Sequence, residues 1–215
     1  MFKKFAIRAA AAAAILGAAG AASAAVITLD FEGIGDLNPV GNYYNGGAGT
    51  NYGVSFSTAT LAIIDSDAGG SGNIANEPSG STVMFFLDAN NAVLNFAAGF
   101  TTGFSFFYSS STAAAVTVWD DVGGAGNLLG TLNLTPQFSN NCVGDPNGGF
   151  CNWTAVGVAF AGTAKSINFG GTANQTAFDD ITFGSDRPGK VPEPTTLALV
   201  GAALLAGAAA RRRKA

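Results

Sequence analysis

Few residues of this chain can do acid–base or nucleophilic chemistry, and their types exclude several reactions. The sequence of 215 residues contains no histidine, so a Ser-His or Cys-His relay cannot be built. It also has no Gly-x-Ser-x-Gly turn. A glycosidase needs two carboxylates beside the scissile bond, and Glu32 and Glu77 have no spacing that suggests such a pair. We therefore predict that the protein is not an enzyme, with a glycan hydrolase that uses aspartates as the less favoured alternative.

Three tyrosines have the chemistry of a sugar-binding platform. Tyr43, Tyr44 and Tyr52 lie in a glycine-rich segment that also contains asparagines. Sugar rings stack on exposed aromatic faces, and their hydroxyls bond to amide and carboxylate side chains. We therefore mark these three tyrosines as candidate sugar-binding residues. Trp119 and Trp153 instead lie in strand-like runs, where we expect them in the core.

The first 24 residues have the composition of a secretory signal peptide. A short basic start is followed by an uncharged, alanine-rich run over residues 9–22. The run ends in Ala22-Ser23-Ala24, whose small residues fit the site of a signal peptidase. It is shorter than the roughly 20 apolar residues that span a bilayer. We predict a signal helix over residues 1–24 that is cleaved after Ala24, rather than a retained N-terminal anchor.

The C-terminal end contains an apolar segment between a proline motif and a basic cluster. Val191-Pro192-Glu193-Pro194 is followed by an uncharged stretch over residues 195–210 and then by Arg211-Arg212-Arg213-Lys214. The two prolines keep the entry extended, so that a protease can bind it. The apolar stretch predicts a transmembrane helix of about 24 Å. The basic cluster would retain the end of this helix in the cytoplasm.

This C-terminal segment resembles the PEP-CTERM sorting signal of Gram-negative bacteria. The resemblance rests on the Pro-Glu-Pro motif, the apolar helix and the arginine cluster, in that order. It implies that an exosortase, a membrane cysteine transpeptidase, removes the tail near Pro192-Glu193-Pro194. It also implies a link to exopolysaccharide production. An ordinary tail anchor that is never cut is the alternative.

The region between the two ends is acidic. Residues 25–190 contain three basic and thirteen acidic residues, a net charge near −10, whereas the whole chain has −4. Nucleic-acid phosphates need cations, so we predict no nucleic-acid partner. We place one domain at residues 25–186 and a linker at 187–190. They lie between the signal peptide (1–24) and the sorting signal (191–215).

Two cysteines, Cys142 and Cys151, flank a segment rich in glycine, proline and asparagine. In an exported chain such a pair most simply forms a disulfide. Closing this loop would contribute somewhat under about 3 kcal/mol. The alternatives are a metal-binding cysteine pair and a catalytic thiol, but the chain contains no histidine that would support either. We therefore predict a disulfide between these two residues.

An alternation of period two predicts that the acidic region is all-β. Runs rich in β-branched and aromatic residues are separated by glycine- and asparagine-rich turns. The predicted strands are 26–31, 82–87, 92–96, 103–108, 115–119, 128–134, 156–160, 166–169 and 177–183. A hairpin joins 116–121 to 127–132 across a glycine turn. This pattern predicts a β-sandwich of jelly-roll type, with helix only in the two terminal segments.

The strand order resembles that of jelly-roll carbohydrate-binding modules. The resemblance rests on the hairpin, on the first strand with Glu32 and on the last strand with Asp179-Asp180. In such modules a first-strand acid and a last-strand aspartate commonly share a structural calcium ion. The resemblance therefore implies Glu32 and Asp180 as calcium ligands. Asp179 is the runner-up, because neighbours on a strand face opposite sides. The alternative is that the aspartates are solvated edge charges.

Together these features predict an exported, non-catalytic surface or extracellular-matrix protein associated with exopolysaccharide and biofilm. Its transient partners would be signal peptidase and exosortase, and no cofactor beyond the candidate structural calcium is required. The chain would be anchored briefly in the inner membrane facing the periplasm, and would then lie at the cell surface or outside the cell. A lectin-like polysaccharide-binding module is the alternative function.

Overall fold

The computed structural model describes residues 26–139, 142–145 and 147–189, and this part of the chain is all-β. Its strands are β1 (Ile27–Leu29), β2 (Val54–Phe56), β3 (Thr60–Ile64), β4 (Thr82–Phe86), β5 (Asn91–Ser110), β6 (Ala114–Trp119), β7 (Leu128–Leu134), β8 (Thr154–Gly170) and β9 (Thr176–Phe183). One short 3₁₀ helix, Ser66–Ala68, precedes β4. None of the helical structure in the described ranges is long and apolar enough to cross a membrane. The predicted signal helix and transmembrane helix lie outside the described residues.

Two long strands, β5 and β8, each run through two layers of sheet. In the first layer the order is β3-β4-β9-β5-β8, and β1 pairs with β9. In the second layer β2 pairs with the start of β5, and the end of β8 pairs with β6, which in turn pairs with β7. The two layers form a β-sandwich of jelly-roll type. The predicted fold class and the predicted hairpin, β6–β7, are therefore confirmed.

The change of layer occurs at irregular positions in β5 and β8. The pairing of β5 with β8 shifts register between Asn95 and Phe100, and again between Phe100 and Thr102. Gly99 and Thr102 in β5 have φ of 77° and 76°, and Gly162 in β8 has φ of 97°. Such residues bend a strand without ending it. The prediction of separate strands at 92–96 and 103–108, and at 156–160 and 166–169, is therefore wrong: each pair is one bent strand.

Aromatic side chains fill the space between the layers. Phe169, at the end of β8, contacts Phe104 and Phe106 of β5 and Phe178 of β9, with ring centroids 6.1, 5.9 and 4.9 Å away. All four rings are fully buried. Because each buried aromatic ring removes a large apolar area from water, this cluster joins the second layer to the first.

A smaller apolar cluster lies beside the cysteine loop. It contains Ile74, Val83, Phe150 and Ala177, with Phe138 and Trp153 packed against it. Cys142 and Cys151 form a disulfide with a Cα–Cα distance of 5.8 Å, so the predicted pairing is confirmed. Trp153 and Trp119 are only partly buried, and the indole of Trp153 donates to the Ala75 carbonyl at 3.0 Å.

Candidate functional site: an acidic cluster beside a tyrosine loop

The two aspartates of β9 lie at an irregularity of the strand. Asp180 has φ of 50°, and the pairing of β5 with β9 shifts register between Ser105 and Phe107. A residue with positive φ interrupts the alternation of side chains along a strand. As a result, the carboxyl groups of Asp179 and Asp180 both lie within hydrogen-bond distance of the Ser79 hydroxyl, at 3.2 and 2.9 Å. The expectation that these neighbours face opposite sides is therefore wrong.

Asp179 is the more constrained of the two. Its side chain has 0% exposure. One carboxyl oxygen accepts from the backbone N–H of Ser79 at 3.0 Å, and the other accepts from the backbone N–H of Asp180 at 2.7 Å. The alternative of two solvated edge charges is therefore wrong for Asp179, because β9 lies between β4 and β5.

Burial perturbs the protonation of both aspartates. Burial, with a contribution from the charge of Asp180, raises the pKa of Asp179 to about 8. The pKa of Asp180 is also raised, by burial and by the charge of Asp30. At neutral pH Asp179 is therefore mostly protonated, and the pair carries less negative charge than two ordinary carboxylates.

Glu32 holds the turn that contains Ser79, at its other end. Its carboxylate accepts from the backbone N–H groups of Ser81 and Thr82 at 2.8 and 2.7 Å, and from the Thr82 hydroxyl at 3.1 Å. Ser79, which bonds the aspartates, lies two residues before Ser81. Glu32 and the aspartate pair thus hold one turn, residues 79–82, between β9 and the segment that follows β1. Sequence reasoning did not identify Ser79, because nothing in its neighbourhood distinguishes it from other loop serines.

This cluster has the chemistry of a calcium site but lacks part of the geometry. Carboxylate and hydroxyl oxygens are ligands that Ca²⁺ prefers, and it needs six to eight of them. However, no group of three or more acidic or cysteine side chains within the described ranges is arranged to hold a metal ion. Both carboxylate oxygens of Glu32 already accept from protein donors. Calcium binding by Glu32, Asp180 and Asp179 therefore stays a prediction.

The tyrosines lie in a loop next to Glu32 and have three different environments. Tyr44 is 4% exposed, and its hydroxyl accepts from the backbone N–H of Phe31 at 2.8 Å. Burial raises the pKa of this hydroxyl. Tyr43 and Tyr52 are half-buried. The Tyr43 hydroxyl donates to the Glu32 carbonyl at 2.9 Å, and the ring of Tyr52 stacks on Tyr44 with centroids 6.2 Å apart.

A cleft of about 330 Å³ opens over this loop. Its walls are formed by Thr28, Asp30, Glu32, Tyr43, Tyr44, Ala48, Gly49, Thr50 and Tyr52. The structure thus places all three predicted tyrosines at one cleft, together with the acidic residues Asp30 and Glu32. Tyr44 packs its ring against Phe31 and Tyr52, so it is a core residue rather than an exposed platform. Of the three tyrosines, Tyr43 and Tyr52 are partly exposed.

The other predicted site residues lie outside the described residues. These are the signal-peptidase positions Ala22 and Ala24, the motif Val191-Pro192-Glu193-Pro194 and the basic cluster Arg211-Arg212-Arg213-Lys214. Cleavage after Ala24 and the roles of the individual C-terminal residues stay predictions. Residues 190–214 match the PEP-CTERM protein-sorting motif. Comparison with curated proteins gives no match.

Solved structures similar to the chain are mostly carbohydrate-binding modules. A module of lichenase 5A from Cellvibrio mixtus, solved with cellotriose, shares 16% identity over 58% of this chain and 86% of its own, with a TM-score of 0.36. A mutant form of a family 29 carbohydrate-binding module shares 9% identity over 80% of this chain and 99% of its own, with a TM-score of 0.39. A family 43 arabinoxylan arabinofuranohydrolase from Bacillus subtilis shares 20% identity over 70% of this chain but 28% of its own, with a TM-score of 0.39. At these scores the likeness carries no argument about ligands.

The match at the C-terminus covers the proline motif, the apolar stretch and the arginines that the sequence analysis singled out. Such a motif implies export, transient membrane anchoring and processing by an exosortase. The chain therefore carries a PEP-CTERM protein-sorting motif at residues 190–214, C-terminal to an all-β body.

Proposed function

We propose that this chain is a non-catalytic surface or extracellular-matrix protein, released from its membrane anchor by an exosortase that cuts near Pro192-Glu193-Pro194. The observation that carries the proposal is the sorting motif at residues 190–214. The acidic composition of the body and the disulfide support it. Net charge far from zero keeps an exported protein soluble, and a disulfide persists in an oxidising compartment.

Processing at the motif is tested by substituting its two prolines. Pro192→Ala with Pro194→Ala should let the entry segment continue the predicted apolar helix, so that the exosortase would lose the extended substrate. The variant should accumulate uncut in the membrane fraction, and the released form should disappear. Pro188→Ala, a change just upstream of the motif, is the matched control and should leave release unchanged. Equal release of the double variant and the control would contradict the proposal.

A second candidate function, a polysaccharide-binding module, is favoured by the cleft over the tyrosine loop. Tyr43 and Tyr52 are partly exposed residues that line this cleft, and Asp30 is an exposed acidic residue at the same cleft. Aromatic faces next to hydrogen-bonding groups are the chemistry that sugar rings require.

Retention on immobilised exopolysaccharide distinguishes the two candidates. A binding module should show saturable retention that free sugar competes away and that Tyr52→Ala abolishes. Tyr108→Phe is the control, because it removes a hydroxyl that donates to the Thr135 carbonyl and does not line the cleft. This variant should be retained like the wild type. A purely structural protein should show no sugar-competed binding, and release of reducing sugar would instead identify a hydrolase.

A further inference from the structure

On one side of the sandwich, a loop covers the edges of both layers. β2 is the edge of the second layer, and the backbone N–H of its Phe56 donates to the Gly41 carbonyl at 2.8 Å. β3 is the edge of the first layer, and the backbone N–H of its Ala62 donates to the Asn38 carbonyl at 2.9 Å. An edge whose backbone groups are already bonded to a loop is protected from pairing with another chain.

The opposite side of the sandwich has no such cover in the part of the chain that the structure describes. β7, the edge of the second layer, pairs only with β6. Residues 154–160 of β8, the edge of the first layer, pair only with β5. Within the described ranges, no loop donates a backbone hydrogen bond to either segment or accepts one from it. A Cβ atom placed on Gly130 would lie 3.0 Å from a methyl carbon of Val158, so the two open edges lie side by side.

These open edges also lack the residues that usually keep sheet edges apart. Neither β7 nor residues 154–160 contain a charged residue or a proline, the types that deter edge-to-edge pairing. The pairing of β7 with β6 is regular over residues 130–134. By contrast, residues 25–190 contain three basic and thirteen acidic residues, a net charge near −10. Two copies of the body therefore repel each other over most of their surface, and this side is where they can approach.

Of the two open edges, β7 is the better suited to a strand partner. Its Leu128 is 52% exposed, and Thr131 lies exposed near the middle of the strand. Apolar and β-branched side chains stabilise pairs between neighbouring strands. The start of β8 instead lies at a cleft with the charged residues Asp186 and Arg187, which disfavour a neutral partner there.

We propose that a second copy of this chain pairs with β7, so that the two β7 strands run antiparallel about a two-fold axis near Thr131. The pairing satisfies the outward backbone groups of both strands and continues the second layer from one molecule into the other. Both copies use the same edge, as in the two-fold dimers that are the commonest symmetric assemblies. The dimer is independent of both candidate functions, because neither the sorting motif nor the tyrosine cleft takes part in it.

Sedimentation of the exported protein at increasing concentration measures this association. The wild type should change from monomer to dimer, and no larger species should form, because each copy has one β7 edge. Amide hydrogen exchange should slow in β7 as the dimer forms and stay unchanged in β3, whose edge is already covered. A monomer at the highest soluble concentration, an open series of larger oligomers, or a dimer whose β7 amides exchange as in the monomer would overturn the proposal.

Matched charge variants locate the interface. Thr131→Glu places two like charges opposite each other near the two-fold axis, so it should raise the dissociation constant of the dimer at least about tenfold. Thr58→Glu adds the same charge at an exposed threonine in the turn between β2 and β3 and should leave the constant unchanged. Equal effects of these two variants would overturn the proposal. Circular dichroism verifies that each variant is folded, and Asn133→Glu, at another exposed position of β7, decides if Thr131→Glu is not.

Discussion

Replacing Asp179 by asparagine should change how the stability of this protein depends on pH. The carboxyl has an ordinary pKa of 3.8 in the unfolded chain, and burial beside Asp180 raises it to about 8 in the fold. Between these values the folded protein binds one proton that the unfolded chain does not. The free energy of unfolding therefore contains a contribution that is complete below the unfolded pKa and is lost as the pH rises through the folded pKa.

The size of this contribution follows from the pKa difference. One pKa unit corresponds to about 1.4 kcal/mol, so the contribution of Asp179 should fall by about 3–4 kcal/mol from about pH 5 to about pH 8. Asparagine does not titrate, so Asp179→Asn removes this slope. The amide keeps only one acceptor for the two N–H groups that Asp179 binds, which adds a pH-independent loss of about 1–3 kcal/mol.

The assay is urea unfolding at several pH values with a chelator present. The free energy of unfolding of the wild type minus that of Asp179→Asn should decrease steadily as the pH rises. Asp180→Asn, in which asparagine also tolerates the positive φ, removes the neighbouring charge, so the decrease should end at a lower pH. Parallel pH profiles for wild type and Asp179→Asn would refute the reasoning, because they would show that the buried carboxyl has an ordinary pKa.

Three further predictions concern the core, the disulfide and calcium. Phe169→Ala should lower the free energy of unfolding by about 3–5 kcal/mol, measured by urea unfolding, because its ring joins the two layers; a loss below about 1 kcal/mol would contradict that role. Reduction of Cys142–Cys151, or their joint replacement by serine, should cost about 2–3 kcal/mol in the same assay, and two free thiols in the exported protein would contradict the bond. If Glu32 and Asp180 hold calcium, a chelator should lower the melting temperature of the wild type but not of Asp180→Asn, and identical melts with and without chelator would contradict calcium binding.

The sequence was sufficient to predict the layered all-β architecture because alternation and turn residues are local signals. The hairpin of β6 and β7 and the Cys142–Cys151 bond were predicted for the same reason. The strands β2 and β3 were missed, since Val54–Phe56 and Thr60–Ile64 are short and lie among loop residues. The continuity of β5 was missed because Gly99 resembles a turn residue, whereas here it lets a strand change layers.

The candidate site was predicted only in part. Glu32 and the aspartates of β9 were identified from their place on the first and last strands, and both contact the turn at residues 79–82. Their joint contact depends on the positive φ of Asp180, which overrides the alternation that sequence reasoning assumes. Tyr44 was expected on the surface because its neighbours are polar. Its hydroxyl satisfies a buried N–H of Phe31 instead, and such long-range pairing leaves no mark in the local sequence.

The mass of the intact protein recovered outside the cell tests the central claim most directly. The mature chain should begin at Ala25, after signal-peptidase cleavage, and should end near Pro192-Glu193-Pro194. Its mass should also correspond to an oxidised cysteine pair. An extracellular protein that still contains the cluster Arg211-Arg212-Arg213-Lys214 would contradict processing at the sorting motif.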